Sequence, residues 1–175
     1  MQKLFSIILL CFCFSATAQI EPVGKKNIIF IELGGAAGYG SINYELLVKK
    51  IKKMKLSARV GLGSYKLKDF QNEFNPDIIV PISINTYYGY NHHIELGLGQ
   101  VFTSIIYADK VNYEPTRRNN FSTVISIGYR FQKETHGTIF KLAYTPIIQN
   151  NSILTHWFSV AVGQFFKWKT SYMYY

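Results

Sequence analysis

At 175 residues, with 48% hydrophobic and only 17% charged side chains, the chain has room for one domain and too little charge to be disordered. Thirteen Tyr, thirteen Phe and two Trp make it rich in aromatics, and the net charge is +9. Such a balance can mean nucleic acid, but the cations are bunched in one place and the chain opens on an export signal, so nucleic acid is not an expected partner.

The opening segment comes first. Lys3 precedes an apolar run from Leu4 to Phe14, and Ala16-Thr17-Ala18 follows as a small-x-small cleavage pattern. The reading is a signal peptide over 1–18 and a single domain over 19–175. The apolar run falls short of the roughly twenty residues that span a bilayer as a helix. Cys11 and Cys13 both lie within it, so the exported domain would contain no cysteine and no disulfide.

From Asn27 onward the dominant hydrophobic period is two. Eight segments follow: Asn27–Gly35, Ser41–Val48, Leu56–Tyr65, Asp77–Tyr87, His93–Ile105, Phe121–Gln132, Thr138–Ile147 and Trp157–Trp168. At about nine to twelve residues each, they fit the roughly nine to eleven that a tilted strand needs to cross a bilayer.

Composition of the two faces separates a soluble sandwich from a membrane barrel. One face carries Ile29, Ile31 and Leu33, then Ile42, Tyr44 and Leu46, and later Ile94, Leu96 and Leu98. In a sandwich this face would point inward and the other would meet bulk water. Here the other face is dominated by Gly, Ser, Asn and Ala, with about one charge per strand. Small residues suit the inside of a narrow barrel, where eight strands leave just enough room for side chains. The expected fold is therefore all-β: an eight-stranded antiparallel transmembrane β-barrel with meander topology.

Connection lengths agree. With the N-terminus on the periplasmic side, the inner turns Lys49–Lys55, Tyr88–His92 and Lys133–Gly137 are short. The outer loops Lys66–Pro76 and Tyr107–Asn120 are long and polar, as outer-membrane barrels show. Gln149–His156 is intermediate, and Ala36–Gly40 is short and reads as a flexible hairpin. Aromatics near strand ends, among them Tyr39, Tyr65, Tyr87, Tyr88, Phe121 and Trp157, suit interfacial girdles.

Glu32-Leu33-Gly34-Gly35, followed by Gly40-Ser41-Ile42-Asn43-Tyr44-Glu45, resembles the first hairpin of an uncharacterised family of small outer-membrane β-barrels of Gram-negative bacteria. The last strand resembles the signal that barrel-assembly machinery reads, with Gly163, Phe166 and Trp168 at the family's spacing. The resemblance implies location and fold: a bacterial outer-membrane protein among lipids and lipopolysaccharide, inserted by that machinery. It implies no activity and no cofactor.

The inward faces carry Glu32, Glu45 and Glu95 against Arg59, Arg130 and Lys141. An unpaired charge in a narrow, dry interior costs several kcal/mol, so these are expected to pair. Glu45 and Arg59, on neighbouring strands near the first inner turn, are the expected partners. Ser41, Asn43, Ser57, Ser83, Asn85 and Ser126 would complete a plugged lumen, and the same groups could instead line a narrow path for ions or small solutes. Lys49, Lys50, Lys52, Lys53 and Lys55 form a basic inner turn, suited to lipid phosphates or anionic cell-wall polymer.

Catalysis finds little support. His92 and His93 adjoin Glu95, but neighbouring strand residues point to opposite faces and cannot easily share a metal. His156 and Ser159 invite comparison with lipid-modifying barrels, yet the alternation puts them on opposite faces too. The reading is a non-enzymatic barrel of structural or interaction role, with a narrow channel as the alternative and a lipid-modifying enzyme third.

Overall fold

Among the described residues, ten antiparallel strands make up a meander that closes on itself. The computed structural model describes residues 26–108, 113–133, 137–149 and 154–167. The strands are β1 (Lys26–Gly34), β2 (Gly40–Ile51), β3 (Met54–Ser64), β4 (Ile78–Gly89), β5 (His92–Ala108), β6 (Pro115–Gln132), β7 (Gly137–Tyr144), β8 (Ile147–Ile148), β9 (Leu154–Thr155) and β10 (Phe158–Lys167). Each of β1 to β6 pairs with the next in sequence, β7 pairs with β10, and β10 closes the ring against β1. The result is a barrel of eight staves. Beyond β7, the short β8 stays on β6 and β9 pairs with β8. Pro146 marks that break in the seventh stave. It has no N–H for the ladder, although its carbonyl still accepts from Ile125 N.

Alternation decides which side chains fill the barrel. Ile31 is 59% exposed between Phe30 at 1% and Glu32 at 2%, as a pleated strand with one packed face requires. The exposed set includes Ile42, Leu62, Ile82, Ile84, Leu96, Leu98 and Val162, and forms an apolar belt round the outside. A patch of that extent is not tolerated in water and is what a barrel presents to lipid. No helix among the described residues is long and apolar enough to cross a membrane.

Four features depart from the sequence reading. The strands β5 and β6 stay paired out to Ala108 and Pro115, well past the expected ends at Ile105 and Phe121. There β6 runs through Thr116, Arg117, Arg118, Asn119 and Asn120, all polar, so the apolar alternation fades while the ladder continues. The loop before β4 braces this extension: the Arg117 guanidinium donates to Asn75 Oδ1 at 2.7 Å and to the Pro76 carbonyl at 3.1 Å.

The first inner turn is tighter than Lys49–Lys55. Ile51 pairs with Met54, leaving only Lys52 and Lys53 between strands, with Lys52 at φ 52°. A register shift between Leu47 and Lys49 re-phases the pair. Lys49 and Lys50 therefore belong to β2, and Lys55 lies in β3, turned inward and 4% exposed.

The first outer hairpin is not a flexible surface loop. Gly35–Ala37 forms a 3-10 turn whose three residues are all buried. Gly34, Gly35 and Gly38 sit at φ 75°, 78° and 84°, where side chains are disfavoured, and Gly34 N donates to the Tyr39 carbonyl at 3.1 Å. The turn tucks into the mouth and packs Ala36 and Ala37 on Ile79, Val101, Val124 and Ile147.

Finally, the inward face is not uniformly small and polar. Ile28, Phe30, Ile139, Ala161 and Phe165 form an apolar cluster inside the barrel. Tyr87, placed by the sequence in a girdle, is also buried inside.

Candidate functional site

The lumen holds two ionic groups, one above the other. Nearer the chain termini, Arg130 of β6 reaches across to Glu45 of β2 with two parallel bonds, Nη1 to Oε1 at 2.7 Å and Nη2 to Oε2 at 2.6 Å. Its Nε lies 2.7 Å from Glu95 of β5. Lys141 of β7 completes the set, 2.7 Å from Glu95 and 3.7 Å from Glu45. Two acids and two bases thus alternate, and every charged nitrogen of Arg130 faces a carboxylate. Such fork geometry is where arginine differs most from lysine.

The second group stands nearer the loops. Arg59 of β3 pairs with Glu32 of β1 and donates through Nε to Asn43 Oδ1 at 2.9 Å. Asn43 in turn donates to Ser41 Oγ at 2.9 Å. The partner of Arg59 is therefore Glu32, not Glu45 as the sequence suggested. Glu45 is taken by Arg130 because the guanidinium spans the lumen, a contact that strand adjacency cannot reveal.

Aromatic rings stand against these cations. Phe30 has the Arg59 guanidinium 5.1 Å from one side and the Lys141 ammonium 4.7 Å from it as well, so its ring links the two groups. Arg130 lies 4.1 Å over Tyr87. A ring face favours a desolvated cation, so burying Phe30 and Tyr87 among charges is consistent with their chemistry. The sequence signal for these rings existed: Phe30 shares its parity with Glu32 on β1, and Tyr87 shares its parity with Ser83 and Asn85 on β4.

Lys55 joins the inward cations, its Nζ 3.0 Å from His93 Nε2. His92 points outward instead and meets the Tyr129 hydroxyl at 2.6 Å. The pair does not converge on one ion, and no cluster of three metal-ligating residues exists among those described. His156 is exposed with its Nδ1 on the Tyr144 hydroxyl, whereas Ser159 is buried in the barrel, so the two are not brought together.

Above the ionic groups the lumen narrows to a cavity of about 10 Å3 lined by Ala36, Arg59, Pro81 and Ser126 among others. That is about the space of one water. The buried Gly35–Ala37 turn lies above it, with Ala36 in the lining of that cavity.

Of the residues resembling an assembly signal, Gly163 sits in β10 against Phe30, where any side chain would collide with the backbone of Ile29 and Phe30. Phe166 takes a ladder position opposite Asn27. Trp168 lies outside the described residues, as does the segment 1–18 expected to be a signal peptide.

No protein-family model matches this chain, and no curated protein matches it in sequence. Solved structures do match in shape. The N-terminal β-barrel domain of Pseudomonas aeruginosa OprF superposes with a TM-score of 0.56 at 10% identity, covering 82% of this chain and 98% of that one. Its fold is that of the small outer-membrane barrels. Neisserial surface protein A matches with a TM-score of 0.51 at 8% identity, covering 83% of this chain and 97% of its own. The outer membrane protein Ail of Yersinia pestis, in a phospholipid bilayer nanodisc, gives 0.51 at 9% identity, covering 82% and 99%. Small outer-membrane barrels thus share the architecture with this chain at an identity too low to carry over individual residues.

Proposed function

We propose that this chain is an integral protein of the bacterial outer membrane whose lumen is sealed and whose work is done by the surface at the loop end. Its role is structural or interactive, and the reading assigns it no catalysis. The observation that carries it is the pair of closures in series: the Glu45–Glu95–Arg130–Lys141 group with Arg59–Glu32 above it, and the buried Gly35–Ala37 turn over both. An eight-stranded barrel has only enough interior for its own side chains, and an ion-paired interior held by bidentate bonds does not yield to a hydrated ion without breaking them.

The apolar belt supports a membrane location, and the fold neighbours, all outer-membrane proteins, support which membrane. Two of them are named as a surface protein and an attachment invasion locus protein, which favours a surface role. In this reading Gly163, Phe166 and Trp168 address the chain to barrel-assembly machinery. Lys49, Lys50, Lys52 and Lys53 meet phosphates on the periplasmic side, and the loop end lies among lipopolysaccharide.

The test is single-channel recording in planar bilayers, with refolding established by a heat-sensitive gel shift. A silent bilayer with fully shifted protein is the expected result. Discrete, reproducible steps would overturn the sealed lumen and make the buried charges a selectivity element.

A further inference from the structure

Outside the Gly35–Ala37 turn the barrel opens into a cup of about 570 Å3, within the range of about 300–1,000 Å3 usual for small-molecule sites. Its floor is apolar, made by Ala36, Val101 and Ile147. On one side stand Tyr65 and Trp157, their ring centroids 6.2 Å apart. Tyr39 packs edge-on against both, at 5.7 and 5.9 Å, and fixes their orientation. From the β5–β6 side the ladder sends in Thr103 opposite Asn120, and Ile105 opposite Arg118. Gln149 adds a further amide to the lining. Among the described lining residues there is no carboxylate, and Arg118 is the one charged group.

We propose that this cup binds a saccharide carrying an acidic group. A sugar ring has an apolar C–H face and a rim of hydroxyls that both donate and accept. Aromatic rings that are half apolar and half wet suit the face. The amides of Asn120 and Gln149 both donate and accept, as the rim requires. Arg118, lying 5.7 Å over the Tyr107 ring, offers a planar fork for a carboxylate or phosphate. A purely apolar ligand would set apolar surface against Arg118 and the Gln149 amide, and a cationic one would meet Arg118 with no acid to balance it. The acidic sugar can come from the cell's own envelope or from a glycan outside it. The proposal rests on the loop end facing outward, and stands whether or not the lumen conducts.

Trp157 supplies the reporter. Full-length Trp168→Phe protein, refolded in detergent and verified by gel shift, is titrated with glucuronic acid, glucose 6-phosphate, glucose and inorganic phosphate, following tryptophan emission and calorimetric heat. The expected result is saturable binding of both acidic sugars at millimolar concentrations, with glucose and inorganic phosphate each about tenfold weaker. Arg118→Gln, at an exposed position, is expected to keep the gel shift and lose the preference for acidic over neutral sugar. No saturable response by either method would overturn the proposal. Inorganic phosphate binding as well as the sugars would overturn it in favour of a bare anion site, and an unchanged preference in Arg118→Gln would remove Arg118 from it. Oligosaccharide from the lipopolysaccharide core, compared with a glucuronate-containing oligosaccharide, then separates the two sources.

Discussion

Glu45 and Arg130 face each other across the diameter of the barrel. They lie 85 residues apart in sequence and on β2 and β6, four staves apart whichever way the ring is followed. Their two parallel bonds make a bar through the interior, and Glu95 and Lys141 extend it to β5 and β7. Neighbouring strands are held by their ladders; this pair ties opposite walls together.

Removing one end of that bar strands the other. Arg130→Ala leaves Glu45 and Glu95 with only Lys141 between them, in a space without bulk water. The expected cost is about 3–5 kcal/mol, the usual penalty for breaking a buried pair from one side. Urea unfolding in lipid vesicles, read by gel shift, measures it. Adding Glu45→Gln should restore a substantial part of the loss, since two carboxylates no longer compete for one ammonium. If the double variant is as unstable as the single, the charges are not coupled.

Arg59 gives a sharper test of partner choice. Arg59→Ala is expected to destabilise by stranding Glu32, so Glu32→Gln in the same chain should compensate. Glu45→Gln should not, because Glu45 already has Arg130 and its loss would add damage. The reverse pattern of rescue would mean that Arg59 belongs to Glu45.

These contacts mark what alternation can and cannot reveal. Period two placed all six charged residues on the inward face, because a strand in a two-faced wall has no third option. Strand adjacency suggested Arg59 with Glu45, but an arginine is long enough to ignore adjacency, and pairing across a lumen leaves no periodic trace. Lys55 was missed for a different reason: a run of lysines resembles a solvated turn until the turn is shortened to Lys52–Lys53. Ile28 and Phe30 sit on the polar parity of β1 while being apolar, so composition alone could not mark them as inward. The glycine run from Gly34 to Gly40 reads as a flexible hairpin, but whether such a turn folds out into water or into the mouth depends on the facing Ile79, Val101 and Val124.

The inward turn should be sensitive at Gly38. At φ 84° any side chain is strained, and one added there would press on the Tyr65 ring. Gly38→Val is expected to cost about 1–3 kcal/mol and to shift Trp157 emission to the red, because Tyr39 would no longer brace it. Conductance should stay absent, since the ionic groups below remain intact. Channel steps from this variant would identify the turn as the principal seal.

Depth sets the last expectation. Ile84 lies mid-strand on the outer belt and Tyr88 near the turn end of the same strand, both well exposed. Ile84→Arg is expected to cost about 2–4 kcal/mol in a bilayer and Tyr88→Arg about 0–1 kcal/mol. Guanidinium titrations in vesicles compare them directly. Equal costs would show that the belt is not centred where its exposed isoleucines place it.

The seam between β1 and β10 runs unbroken from Lys26 opposite Lys167 to Gly34 opposite Ser159. The two outermost described strands are therefore direct neighbours, with the start of one beside the finish of the other. A ring in which every stave is laddered to the one before and the one after is indifferent to where its backbone is cut. A circular permutant, joined from β10 to β1 and reopened between Lys52 and Lys53, would keep every ladder, every lumen contact and the inward turn. What it would change is the order in which the strands reach the membrane, separating the stability of the finished barrel from the route by which it is built.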